Sequence, residues 1–531
     1  MTSLRNKTCR TFTTSYGYDA ASNRISFTDP ENGSSSYVYD TLNRLQTLTP
    51  PAAISSGNFG FAYDALSRRT SLTRPNTVNT SYGYDTLSRL MSVNHAKGGA
   101  TLDGATYTVD NAGNRTANSD LYAGVTTNYG YDNIYELLNA TQGGGTTESY
   151  TYDPVGNRLT ALGSAAWSYN TSNELNSCPG ASYAYDANGN TIVKTDGTGS
   201  TSYTWDFENR LTSVILPGSG GTVSFKYDPF GRRIYKSSGS GTSIYAYDGF
   251  NLTEEVNSTG TAAARYTQTQ NVDEPLAMLR SGTTSYYQVD GLGSVTSLSN
   301  ASGALAQTYM FDSFGNQTAS SGSLVNSFRH TGREFDSETN LYYYRARYID
   351  PATGRFISED PIGFSGGSNF YRYARNNPVR RKDPSGLCPI SVGYRPEVTL
   401  LPTVGPPIQL VHTFIVIGCG KDRNVLEAEP NGPWYSPKID AETYPLIPGL
   451  DPSNPVWTDP EIFVRDDGRP CPDDLKTLKA FANAVNNTSV PYHLLGPNSN
   501  SVTSGGLSAL GINDWSPPVI APGWDSPIPH K

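Results

Sequence analysis

Between Tyr16 and Asp248, aromatic and polar positions alternate in short runs, and each run ends on an acidic or amide residue. The pattern reads aromatic-x-aromatic-Asp, then a short turn, then Arg or a substitute, then an aliphatic residue. Tyr16-Gly-Tyr-Asp19, Tyr37-Val-Tyr-Asp40, Tyr82-Gly-Tyr-Asp85, Tyr129-Gly-Tyr-Asp132, Tyr150-Thr-Tyr-Asp153 and Tyr245-Ala-Tyr-Asp248 are clear copies. Tyr203-Thr-Trp-Asp206 and Phe225-Lys-Tyr-Asp228 are degenerate ones. Period-two alternation sets the two aromatics on one face of a strand. Asp then ends the strand, because its carboxylate can cap its own turn. Turn formers follow, as in Pro154-Val-Gly-Asn157. Arg158, Arg210 or Arg232 comes next, and Leu159, Leu211 or Ile234 resumes a strand.

The Asp positions, with Asn at 170, are 19, 40, 64, 85, 110, 132, 153, 170, 186, 206, 228 and 248, separated by 16 to 25 residues. One copy therefore predicts one hairpin. A lone hairpin is marginal in water, whereas stacked copies bury their aromatic rows continuously. Composition fits this mainly β reading. The 36 Tyr against 18 Phe suit half-exposed strands in which a ring packs and its hydroxyl stays wet, and 52 Gly with 35 Pro imply many turns. The 531 residues exceed one ordinary core, so two or more units are expected.

Net charge is -9, divided as -3 over residues 1–387 and -6 over residues 388–531. Neither part is basic enough for a phosphate-gripping surface, which disfavours a nucleic-acid partner. Cys9, Cys178, Cys388, Cys419 and Cys471 are odd in number and lack metal-ligand spacing, so no disulfide framework, structural metal or cofactor is expected. No stretch is apolar long enough to span a membrane, and Met1 to Tyr16 lacks the apolar core of a signal peptide. The chain starts almost inside a repeat, as expected of export by another route or of the tail of a longer protein.

The pattern resembles the YD/RHS repeat family, which includes bacterial Rhs proteins, the C components of insecticidal toxin complexes, and teneurins. The resemblance implies hairpins that spiral into a hollow β-shell over residues 1–285; another β-solenoid or a propeller is the alternative. From about Tyr286 the pattern changes. Val289-Asp-Gly-Leu-Gly-Ser-Val295, His330-Thr-Gly-Arg-Glu-Phe335, Leu341-Tyr-Tyr-Tyr-Arg-Ala-Arg-Tyr-Ile-Asp-Pro351 and Gly354-Arg-Phe-Ile-Ser-Glu-Asp-Pro361 resemble the RHS-associated core. That core is expected over residues 286–387. In the family it plugs one end of the shell and cuts the chain after the last Leu of P-x4-D-P-x-G-L. Pro378, Asp383, Gly386 and Leu387 match that motif, so the implied scissile bond is Leu387–Cys388. The implied chemistry is aspartic-protease-like, with Asp360 and Asp383 as the two carboxylates and Arg355 and Asp350 in support. Two close carboxylates share a proton, which separates base from acid. The bland reading is that each Asp-Pro merely caps a turn; Asp350 fits it best.

After Leu387 the composition shifts, with 22 of the 35 prolines in residues 388–531 and no further YD motif. In Rhs proteins a variable effector domain begins here. Its pattern reads as small α+β: a buried strand over Leu410–Ile417, a partner near Val425–Ala428, a helix from Pro472 to about Asn486, and a second helix over Ser501–Leu510. His412 in the first strand and Ser499 within Asn498-Ser-Asn-Ser-Val502 resemble the circularly permuted papain-like group, the NlpC/P60 and LRAT-like hydrolases and acyltransferases. Ser499 stands where that group has Cys, and Val502 where it has an aromatic. His412 reads equally as a hydrogen-bonded core residue, Asn498–Ser501 as a helix cap, and His493 and Cys471 as loop residues.

The resemblance thus implies a polymorphic toxin: shell, self-cutting core and effector. It further implies a cognate immunity protein and secretion machinery as partners, a monomer, and a protein made in the cytoplasm and then secreted or displayed. The alternatives are a non-enzymatic surface or adhesion protein, and a truncated remnant of a longer Rhs protein.

Overall fold

Each aromatic-x-aromatic-Asp run ends a strand, and the same turn follows it throughout. At Asp64, Oδ1 accepts the N–H groups of Leu66 and Arg68, both at 2.9 Å, and Oδ2 accepts Arg68 Nε at 2.7 Å. Ser67 takes the left-handed conformation at φ +60. Arg68 then reaches the next turn, donating to the Asp85 carbonyl at 3.2 Å. Asp40, Asp85, Asp206 and Asp228 repeat the Asp–Arg pairing. The motif therefore stitches neighbouring hairpins together as well as turning the chain.

The computed structural model describes residues 12–387 except 144, 162–163 and 165, and beyond these only the backbone of Ile390–Pro396, Val411–Ile417, Asn424–Asn431, Lys438–Pro445 and Ile462–Arg465. The wall is one antiparallel meander in two sheets. Fourteen strands run in chain order from Ser15–Tyr18 to Arg158–Ala161, and sixteen from Ser168–Tyr169 to Gln317–Gly322. The second sheet thus continues across the 285/286 boundary. A bulge falls at the second aromatic of the motif, as between Gly83 and Tyr84 or Thr151 and Tyr152. The first aromatic is buried in several copies, at Tyr37, Tyr150, Tyr203 and Tyr245. Tyr on these strands was expected to pack its ring and keep its hydroxyl wet. Instead Tyr63, Tyr84 and Tyr152 donate to carbonyls of the preceding hairpin, Leu45, Arg69 and Leu137, at 2.9 to 3.0 Å. Such a bond satisfies a half-buried hydroxyl and fixes one repeat on the last.

The wall laps over itself. Arg24 pairs with Asp248 at 2.5 Å, Asp29 with Arg265, Arg69 with Glu274, and Asn76 Nδ2 donates to Ser299 Oγ at 2.8 Å. These partners lie 205 to 236 residues apart. Leu276, Ala277 and Tyr286 of the returning strands pack on Phe27, Leu48, Phe59 and Leu72 of the first ones.

Residues 334–356 form a four-stranded antiparallel sheet: Glu334–Asp336, Leu341–Tyr344, Arg347–Asp350 and Arg355–Phe356. Both of its faces are buried against the wall. Tyr342 and Tyr344 join Leu137, Tyr150 and Phe314, while Leu341 and Tyr343 join Tyr203, Leu211 and Phe225. Arg233 from the wall is fully buried there between Glu334, at 2.9 Å, and Asp336. Farther on, five described strands pair antiparallel in the order Lys438–Pro445, Asn424–Asn431, Val411–Ile417, Ile390–Pro396, Ile462–Arg465.

Candidate active site

The strands Leu341–Tyr344 and Arg347–Asp350 are joined by a two-residue turn, and this turn grips the loop before Leu387. Arg345 sits at φ +55. Its Nη1 donates to the Pro384 carbonyl. Ala346 N–H donates to the Ser385 carbonyl at 3.1 Å. Arg347 Nε donates to the Gly386 carbonyl. Three successive carbonyls are thus fixed by three successive residues of the hairpin. Gly386 has φ +70, and a Cβ there would lie 2.3 Å from the Tyr344 carbonyl oxygen, so only glycine lets the loop approach this closely.

Both expected carboxylates meet at Arg347. Its Nη2 lies 3.0 Å from Asp360 Oδ2 and 3.4 Å from Asp383 Oδ2. The guanidinium carbon stacks 3.5 Å from the centre of the Phe356 ring, and Nη1 donates to the Phe370 carbonyl at 2.8 Å. Arg347 is therefore held at once by a ring, two carbonyls and two carboxylates. A turn holds Asp360: its Oδ1 accepts Ile362 N–H at 3.2 Å, and a Cβ on Gly366 would fall 2.6 Å from its Oδ2. Burial pushes the Asp360 carboxyl above its ordinary value, and Arg347 pulls against that rise. Asp383 is built as an acceptor. Its Oδ1 takes the Ser385 hydroxyl at 3.0 Å and the Leu387 N–H at 3.0 Å. Ser385 Oγ accepts the same N–H at 3.1 Å. The peptide entering Leu387 is thereby tied to one of the carboxylates, and Leu387 is itself buried.

Arg355 stands elsewhere. Its guanidinium donates to Asn157 Oδ1 at 3.1 Å and to the Asn173 carbonyl at 2.6 Å, pinning the core to two turns of the wall. Asp350 caps its own turn through Ala352 N–H at 3.0 Å and pairs with Lys194 at 3.0 Å. Arg347, Ser385 and Arg345 were not singled out from the sequence. The one available signal was the Arg-x-Arg spacing of Arg345 and Arg347 in a stretch otherwise rich in Tyr. His412 falls on the strand Val411–Ile417, opposite Arg395 in one neighbour, and the adjoining strand Asn424–Asn431 contains the expected partner Val425–Ala428. Cys388, Ser499 and both expected C-terminal helices lie outside the described residues, as does the side chain of His412.

Residues 120–379 match the family model of the teneurin YD-shell. The tRNA3(Ser)-specific nuclease WapA of Bacillus spizizenii is 31% identical over 273 residues, which is 48% of this chain and 12% of WapA. Double-stranded DNA deaminase toxin A of Burkholderia cenocepacia is 28% identical over 316 residues, 53% of this chain and 22% of that toxin. The crystal structure of TcdB2-TccC3 superposes with a TM-score of 0.60 at 21% identity, over 71% of this chain and 22% of that one. The chain thus spans a minor part of the length of each of these relatives.

Proposed function

On the premise that the wall and core of this chain form a YD-repeat shell of the RHS family, we propose that it is a toxin protein of the Rhs kind. Its core cuts after Leu387 and releases the C-terminal residues 388–531 as an effector. The strands through Gln317–Gly322 serve as the wall, and the sheet from Glu334 onward, with the loop to Leu387, as the plug and cutter. The observation that carries the reading is the single Arg347 nitrogen shared by Asp360 and Asp383, beside a loop whose Leu387 N–H is bound to Asp383.

The chemistry follows from the environments of the two carboxyls. Asp383 is the base: it takes a proton from a water as the water oxygen bonds to the Leu387 carbonyl carbon. Asp360, whose carboxyl burial raises above its ordinary value, is the acid. Its proton goes to the Cys388 nitrogen as the C–N bond breaks, leaving a Leu387 carboxylic acid, whose remaining water proton passes to the released Cys388 amine. Arg347 holds the two groups at one spot and opposes negative charge as it develops.

The toxin names of WapA and of the deaminase support the effector reading. Secretion, an immunity protein and action on competing cells come with that reading. Among the described residues no helix is long and apolar enough to cross a membrane. For the effector itself, His412 with Ser499 is the candidate pair, as hydrolase or acyltransferase. The teneurin match favours a second reading, an uncut surface or adhesion protein.

One experiment separates the two. The chain is expressed with a C-terminal tag, followed on a gel, and its tagged fragment is sequenced from the N-terminus. Cutting predicts a fragment beginning at Cys388, lost in Asp360→Asn and Asp383→Asn. A single band from the unaltered chain rejects self-cleavage. For the effector, toxicity of residues 388–531 in bacteria, lost in His412→Ala, is the expected result.

A further inference from the structure

The hairpin that grips the scissile loop is itself gripped by the wall. Arg345, besides holding the Pro384 carbonyl, places Nη2 at 2.8 Å from Asp273 Oδ1 and Nη1 at 3.4 Å from Asp273 Oδ2. Arg333 takes the same carboxylate, and its Nη2 donates to the Tyr343 carbonyl at 2.8 Å. Burial alone would raise the Asp273 carboxyl, but Arg333, Arg345 and Lys382 hold it below its ordinary value. Asp273 lies in the loop between the strands Ala262–Gln268 and Pro275–Arg280, at φ +62. A Cβ on Gly332 would come within 2.7 Å of its carbonyl oxygen, so the loop sits tightly on the core.

The next residue ties this loop to the start of the chain. Glu274 receives Arg69 through both oxygens, the Nη2–Oε2 contact being 3.2 Å, and is steadied by Thr269 Oγ at 2.5 Å and Asn271 Nδ2 at 2.8 Å. Gln270 donates to the Tyr39 hydroxyl. Arg69 and Tyr39 belong to the first strands of the wall, 205 and 231 residues away along the chain. Without Arg69, two adjacent carboxylates, buried Asp273 and partly buried Glu274, occupy one short loop with one fewer cation. A buried charge stripped of its partner is strongly unfavourable, so the loop must rearrange. Arg345 then loses its anchor, and the Pro384 carbonyl loses Arg345.

We propose that Asp273 and Arg345 are positioning residues for the cut, and that docking of Arg69 on Glu274 makes the cut wait until the wall has lapped over itself. This rests on the self-cleavage reading above. The route runs from wall strand to loop to hairpin tip to scissile loop, through contacts that are each made by name. A misplacement of about 1 Å at a reacting centre can slow a reaction by about a hundredfold.

The test follows newly made full-length chain in cell-free translation and measures the fraction cut against time. Limited trypsin digestion reports folding in parallel. Asp273→Asn and Arg69→Glu are expected to slow the cut by about tenfold or more. The exchanged pair Arg69→Glu with Glu274→Arg should restore it to within about threefold, a rescue that general loosening of the wall does not give. Lys236→Met, which breaks another wall-to-core ion pair off this route, should cut at the unaltered rate. If Asp273→Asn and Arg69→Glu cut as fast as the unaltered chain, this inference falls while the self-cleavage reading stands. Failure of the exchanged pair to recover in trypsin-resistant protein also overturns it. An unaltered chain that stays whole overturns both.

Discussion

Arg347 Nη2 lies 3.0 Å from Asp360 Oδ2, with the two side chains only 2% and 8% exposed. The same nitrogen reaches Asp383, while Nε holds the Gly386 carbonyl. A planar fork can serve three acceptors in fixed directions, and an ammonium on a flexible stem cannot. Arg347→Lys is therefore expected to keep the charge and lose the cut, slowing it by about a hundredfold or more. The fraction of tagged fragment over time measures this. A rate within threefold of the unaltered chain would show that charge alone suffices.

The pH dependence follows from Asp360. Its folded value is raised by burial, so the protonated form is favoured in the folded protein. That contribution is present at pH below the ordinary carboxylate range and is lost as pH rises through the raised value. The cut, needing the proton on Asp360, should slow as pH climbs past that value. Rates of refolded chain in buffers from acid to alkaline should fall on the alkaline side. A rate that keeps rising with pH would reverse the assignment of acid and base.

Arg233 joins wall to core with almost no water access, between Glu334 and Asp336. Arg233→Met leaves two carboxylates buried without it and should destabilise the chain by about 3–5 kcal/mol. Adding Glu334→Gln and Asp336→Asn should recover much of the loss, because the penalty lies in the orphaned charges. Urea midpoints of the single and triple variants measure it.

His330 is fully enclosed, and burial lowers its imidazole from 6.5 to about 4. The unfolded chain therefore binds this proton first. Stability from the neutral ring is complete above about pH 6.5 and is lost as pH falls toward 4, by about 3 kcal/mol. His95, lowered to about 4 by burial and by Arg74, adds in the same direction. Urea midpoints at pH 7.5 and 4.5 should differ, and His330→Gln should narrow the gap.

The wall was legible because its rules are local. Alternation sets the face of each aromatic, and Asp caps the turn four residues before its Arg. The bonded hydroxyls of Tyr63, Tyr84 and Tyr152 were not legible, because each reaches a carbonyl of the preceding hairpin, some 15 to 18 residues away, and strand-to-strand register is not local. The core motif located Asp360, Asp383 and the loop to Leu387. It did not distinguish Arg355 from Arg347. Both precede Asp360, and only the pairing of Tyr344 with Arg347 across the hairpin turns the second one toward the carboxylates. Asp273 was invisible for the same reason: its partners Arg333 and Arg345 stand 60 and 72 residues later.

The hairpin tip holds the loop by the carbonyls of Pro384, Ser385 and Gly386, and Asp383 holds it by the N–H of Leu387. All four are main-chain groups, which every polypeptide carries. A grip of this kind works like a ruler laid along the backbone, fixing one peptide by counting residues rather than by reading side chains. On the self-cleavage reading, whatever follows Leu387 inherits the same exit point, so one housing can serve unrelated cargoes without redesign of its blade.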